Sequence, residues 1–342
     1  MIGMTVEWLS NGVRDRRIAG VSFALILAGV LAACQVPVFR YALERWQPDH
    51  YQLLVLCDRE LTETEAEQVD QLRQRAGRSS SSSSVSSNFD VRIVRTDQSE
   101  NRFAKVTWEQ HGSRNQPLLA VMYPENAQEI PDPLAGTFRL SSDAIDNVTR
   151  SPVRTEIAKR LLSGQSAVWI FVPIGDPDQD DECLATLQRE VQRNQDSLEL
   201  PEQEEVEGEE ALLAEVDIEL RLEFSIITLN RDDPKEKFLL DLLLSSEPDL
   251  ADLKQPMAFP VLGRGRVLYA LVGKGIAEDT IGIASRFIIG PCSCQVKNQN
   301  PGFDLLMNCN WDEEIGTAKL SEEIPSDKSP PVKLSIPPGK KK

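Results

Sequence analysis

The sequence predicts an α/β fold built from two tandem halves with the same order of elements. Three observations predict it. Apolar runs of strand length alternate with segments of helical periodicity. The order strand, helix, strand, helix, strand, strand, helix occurs twice. Each half closes on a similar octapeptide: Ile157-Ala158-Lys159-Arg160-Leu161-Leu162-Ser163-Gly164, and Ile283-Ala284-Ser285-Arg286-Phe287-Ile288-Ile289-Gly290. Matching Ile, Ala, Arg and Gly at aligned places points to a duplication.

In the first half, Tyr51 to Leu56 is an apolar strand. Thr62 followed three residues later by Glu65 is a capping box. Leu61, Val69, Leu72 and Ala76 then keep roughly helical spacing as far as Gly77. Phe89 to Val94 alternates apolar and polar side chains, as a half-buried strand does. Asn101 to Gln110 supplies the second helix. Leu118 to Tyr123 and Gly136 to Leu140 form the last strand pair, and Arg154 to Leu162 the closing helix before Gly164.

The second half opens with Ala167 to Pro173, a buried strand. Its first helix carries Leu184, Leu187 and Val191 on one face. Leu222 to Leu229 is the next strand. Asp233-Pro234 reads as a cap with proline at the first helical position, ahead of Phe238 to Leu244. Met257 to Leu262 and Val267 to Val272 flank the turn Gly263-Arg264-Gly265-Arg266, and a helix from Asp279 or Thr280 to Ile289 ends the half. The Ser-rich run from Arg78 to Asn88, the acidic stretch from Leu200 to Glu210 and the tail from Pro325 have the composition of unstructured chain.

This order, parallel strands joined by helices and then an antiparallel pair and a helix, resembles the thioredoxin fold. The resemblance implies tandem βαβαββα domains over about Tyr51 to Gly164 and Ala167 to Gly290. It implies cis bonds before the third strands, at Pro117 and Pro256. The family's redox chemistry needs Cys-x-x-Cys after the first strand, where a helix N-terminus lowers the thiol pKa. Neither half has it. The first offers only Cys57, the second only Cys183 beside Asp180, Asp181 and Glu182, whose charge disfavours a thiolate. A conventional dithiol oxidoreductase is therefore not expected. Cys57 and Cys183 remain candidate lone thiols, against the plainer reading of small apolar fillers.

Cys292-Ser293-Cys294 and Cys309 form the other cluster. A disulfide, structural thiols, and a redox or soft-metal site for Cu(I) or zinc are all compatible with it. A hairpin of Gln295 to Asn298 with Phe303 to Asn308 would bring Cys294 to Cys309. In a thioredoxin-like layout these cysteines follow the last helix, at the opposite end from Cys183.

The chain also carries an address. Arg14, Arg16 and Arg17 precede a 16-residue apolar run from Ile18 to Ala33, ending in Leu31-Ala32-Ala33-Cys34. A spanning helix needs about 20 apolar residues, so the run suits the core of a signal peptide better than a membrane span. The tetrapeptide resembles the lipobox of bacterial lipoproteins. That resemblance implies cleavage before Cys34, its acylation, and a cell-envelope location facing the periplasm. Gln35, where an Asp often retains such proteins in the inner membrane, leans toward the outer membrane.

The resulting organisation is a signal peptide over 1–33 and a lipidated linker over 34–50. Thioredoxin-like domains follow over 51–164, with the Ser-rich loop 78–88, and 165–290, with the acidic linker 200–210. A cysteine-containing extension over 291–324 and a disordered tail over 325–342 complete it. A net charge of −17 opposes nucleic-acid binding. His50 and His111, the two histidines, give little material for a metal cluster or a catalytic triad. The glycines of 263–265 and 273–275 lack phosphate-loop spacing, and 176–181 lacks the glycine and glutamate of a calcium loop. No cofactor is implied. The expected function is a non-catalytic binding or scaffold module with a lipid anchor and an envelope protein as partner. The alternative is thiol redox or soft-metal handling at Cys292, Cys294 and Cys309.

Overall fold

A computed structural model describes residues 36–77, 87–113, 115–127, 130–201, 218–219, 221–292 and 296–315. The signal segment, Cys34, Cys294, most of the Ser-rich and acidic stretches and the tail lie outside the described residues.

The protein is α/β with two mixed sheets. Helix α1 (Val38–Arg45) precedes strand β1 (Tyr51–Cys57), α2 (Glu63–Arg75), β2 (Phe89–Arg95), α3 (Arg102–His111), β3 (Leu118–Met122), β4 (Leu134–Arg139), α4 (Ser142–Thr149) and α5 (Pro152–Leu162). The second half runs β5 (Gln165–Val172), α6 (Pro177–Ser197), β6 (Arg221–Thr228), α7 (Lys237–Leu244), β7 (Met257–Leu262), β8 (Arg266–Val267), β9 (Leu271–Val272) and α8 (Glu278–Ile289). Strand β10 (Phe303–Asp304) and α9 (Trp311–Ile315) follow.

The first sheet has the order β2-β1-β3-β4 and the second β6-β5-β7-β8-β10, with β9 also on β7. In both, the first pair is parallel and the third strand runs antiparallel to its neighbours. Strand alternation splits each sheet into two apolar faces. Leu53 and Val55 of β1, and Val168, Ile170 and Val172 of β5, enter one common core. Val69 and Leu72 of α2, Ile145 and Val148 of α4, Ile157 and Leu161 of α5, and Phe238, Leu239 and Leu242 of α7 enter it too. This core is continuous across the expected boundary at residue 164. The other face of the first sheet buries Leu54, Leu56, Leu118 and Ala120 against Ala104 of α3. The other face of the second buries Ala167, Trp169 and Phe171 beneath α1, α6 and α8.

Several local expectations are corrected. The linker over 34–50 holds α1, whose Val38, Phe39, Ala42 and Leu43 are buried. Ser87 and Asn88, placed in the Ser-rich loop, are buried too. The Asn88 amide donates to Leu305 O and Asp49 O and accepts from Met307 N. Asp233-Pro234 is not the cap of α7. It belongs to a turn closed by Glu236 N–H on Asp233 O at 3.0 Å, and α7 starts at Lys237. The strand from Val267 to Val272 is broken into β8 and β9. Leu268 N–H still bonds Pro260 O in register, but Pro260 has no N–H to return, and the register slips by one residue before Leu271 pairs with Ala258. Helix α4, absent from the sequence reading, is capped by Ser141. No cis peptide bond occurs among the described residues, so Pro117 and Pro256 are trans. Each instead uses its carbonyl, at 2.8 Å, to accept an N–H from the chain beyond the paired strand, Leu140 and Gly273 respectively.

The candidate site at the seam of the two halves

The two places where a thioredoxin-like active site would stand are occupied by the protein's own carboxylates. After β1, Glu65 accepts Thr62 N–H at 2.8 Å and two parallel bonds of 2.7 Å from Arg59. The Arg59 guanidinium, assisted by Thr62, holds the Glu65 carboxyl down to about 2. After β5, Asp180 accepts the N–H groups of Ile174 and Gly175, both at 2.8 Å, and Asp176 caps the same helix. The start of each helix thus carries carboxylates, Glu65 in the capping box of α2, and Asp176 with Asp180 at α6.

The thiols agree with this. Burial pushes Cys57 above its ordinary value, and burial followed by the charges of Glu182 and Asp180 does the same for Cys183. Burial carries Cys309 up to about 12. Cys183 Sγ lies 3.8 Å from Gly273 O, just ahead of α8, whereas Cys292 follows the other end of that helix. A 12-residue helix is about 18 Å long, so these two are held apart. Cys292 belongs to the apolar cluster under α1 and α8, and Cys309 packs on the common core at the other face of the sheet. The two described members of the proposed cysteine cluster are therefore not brought together. The expected hairpin of 295–298 with 303–308 is replaced by a 3₁₀ turn over Lys297–Gln299. Strand β10 pairs with β8 instead, which sets Asp304 opposite Arg266. Among the described residues no His, Cys, Asp and Glu side chains group as a metal site.

The polar machinery of the molecule lies instead where the halves meet. Asp304 accepts from Arg266 Nη1 at 3.1 Å, from Asp49 N–H at 2.7 Å and from Lys297 Nζ. Lys297 also pairs with Asp49 at 2.9 Å, and Asn126 donates to Asp49 at 3.2 Å. The remaining Arg266 donors reach Pro301 O and Asn300 O, and its guanidinium lies 5.8 Å from the Trp46 ring. Two cations and two anions are mutually neutralised, as burial requires.

Above this network opens a cleft of about 400 Å³, within the range of small-ligand sites. Asn126 from the first half, Glu247, Arg266 and Tyr269 from the second, and Asn298 and Phe303 from the C-terminal extension line it. Burial raises the Tyr269 phenol to about 12 and raises the Glu247 carboxyl, which accepts Ala270 N–H at 3.4 Å. The cleft is therefore polar with its floor charges compensated. It suits hydrogen-bonded recognition.

The seam is tied by further crossed contacts. Glu236, just before α7, accepts Val153 N–H at 2.7 Å and the Ser151 hydroxyl, capping α5 of the first half. Asn147 of the first half in turn accepts Phe238 N–H at 3.2 Å in α7. Tyr51 donates to Asp304 O and Tyr123 to Leu242 O. Arg154, fully buried, donates to Leu306 O and Val148 O and lies 5.5 Å from the Phe238 ring. Burial lowers its pKa to about 10, leaving it charged.

No protein-family model matches the chain, and no curated protein matches it in sequence. Sequence reasoning singled out none of Arg266, Asp304, Lys297, Asp49 or Arg154. The available signal was weak: the Gly263-Arg264-Gly265-Arg266 turn joins glycines, as a hairpin does, with two arginines that a hairpin does not need.

Proposed function

We propose that the protein is a cell-envelope lipoprotein acting as a non-catalytic binding or scaffold module, made of two thioredoxin-like repeats and leaning toward the outer membrane. A parallel pair followed by antiparallel strands in both sheets supports the repeat reading. The non-catalytic reading is supported by the absence of a Cys-x-x-Cys pair after either first strand, and by the burial that holds the Cys57 and Cys183 thiols up beside the carboxylates of Glu65 and Asp180. The seam cleft is the surface for a ligand or an envelope partner. Among the described residues no helix is long and apolar enough to cross a membrane. Membrane attachment is assigned to acyl chains on Cys34, on the strength of Leu31-Ala32-Ala33-Cys34.

The test is a thiol count with and without reductant, with metal analysis, on protein purified from the envelope. Thiols that do not change with reductant, and no bound metal, are expected. A copper ion or an easily reduced disulfide would move the assignment to thiol chemistry at Cys292, Cys294 and Cys309. For the anchor, Cys34→Ala is expected to abolish palmitate labelling, and unchanged labelling would remove that part.

A further inference from the structure

The chain becomes fixed to the body almost as soon as it leaves Cys34. Pro37 faces Pro291 in an antiparallel bridge. Val38 N–H donates to Gly290 O at 3.0 Å, and Cys292 N–H to Val36 O at 2.8 Å. Helix α1 then buries its apolar face against α8, β5 and β7. Its C-terminus is closed by Arg264, which donates to Leu43 O at 2.7 Å and to Glu44 O at 3.2 Å. Gly263 comes so near that a Cβ there would stand 2.6 Å from that of Ala42. Nothing from Val36 onward is left to act as a spacer.

Cys34 precedes Val36 by two residues, and two residues of extended chain reach about 7 Å at most. The headgroup layer on one side of a bilayer is itself about 5–7 Å deep. Resting on the reading that Cys34 is acylated, we infer that the end of the second half where α8 finishes lies directly against the phospholipid headgroups, without a flexible tether. Val36 stands at the headgroup surface. Pro291, exposed at this end, is what the body presents to it.

Two acylated proteins in phosphatidylethanolamine/phosphatidylglycerol vesicles test this: the natural chain, and one with a flexible Gly/Ser spacer of about 20 residues inserted between Gln35 and Val36. Flotation and intact mass report the anchor, and amide hydrogen exchange reports contact. Both chains are expected to float with an acylated Cys34. Exchange over 286–292 in the natural chain is expected to be about tenfold slower than in the spacer chain, with α3 equal in the two. Equal exchange over 286–292 in two floating, acylated chains would overturn the apposition and leave the anchor standing. A mass with intact Met1 and no acyl group would overturn the anchor and the apposition with it.

Discussion

The two sheets share a strand order but not a depth of cover. Among the described residues the outer face of the first is covered by α3, over a small cluster with Leu54 and Leu56, and α3 itself leaves Val106 39% exposed. The outer face of the second lies under α1, α6 and α8 and buries Trp169 and Phe171 completely. The additions come from the ends of the chain. α1 from the N-terminal side and β10 from the C-terminal side both close on the second sheet, and both are held by the turn of residues 263–266. Even the aligned octapeptides have diverged at their glycines. Gly164 ends α5 with φ +94°, a left-handed cap, whereas Gly290 ends α8 in an extended conformation with φ −66°. A repeated topology thus tolerates unequal cover, provided one face of each sheet is sealed in a common core.

This contrast ranks the effects of mutation. Phe238→Ala, in the common core, is expected to cost about 4 kcal/mol and to destabilise both sheets together, read by denaturant unfolding. Leu56→Ala, under α3, is expected to cost about 2 kcal/mol, because a thin cover settles into the space. The reverse order would break the comparison. Gly263→Ala forces a side chain into φ +59° and against Ala42. It is expected to cost about 2 kcal/mol and to speed amide exchange in α1 before elsewhere.

The two halves should also respond to pH in opposite windows. Glu44 in α1 is buried, and burial, opposed by Arg40, raises it from 4.5 to about 7. The folded state then binds the extra proton, so this contribution is complete below about 4.5 and lost as pH rises through about 7. Glu65 in the first half is held near 2, so its contribution is present above 4.5 and lost as pH falls toward 2. Glu44→Gln is expected to flatten the neutral limb of a stability–pH curve, and Glu65→Gln the acid limb. An unchanged limb in either variant would remove that assignment. The smallest effect expected is at Cys183→Ser, under about 1 kcal/mol, since this thiol is only half-buried and its polar contact to Gly273 O is long.

Most elements were legible because their signals are local. Thr62 and Glu65 announce α2, Met257 to Leu262 is a strand by composition, and the continuous apolar runs of β1 and β5 mark buried strands. The seam was not legible, because its partners are far apart in the chain. Asp304 meets Tyr51 and Asp49 across about 250 residues, and Glu236 caps a helix of the other half. The apolar side chains of α1 lie in a stretch too short for periodicity to separate a docked helix from a linker. The surroundings of the cysteines were hidden for a related reason: the spacing of Cys292 and Cys309 does not tell that they join different apolar clusters.

The central claim is that both sheets are stabilised by one continuous core. Denaturant unfolding followed by hydrogen-exchange labelling of β1 and β5 in the same sample tests it most directly. One transition is predicted, with the two strands losing protection at the same midpoint. Separate midpoints, with one strand protected while the other exchanges freely, would contradict it.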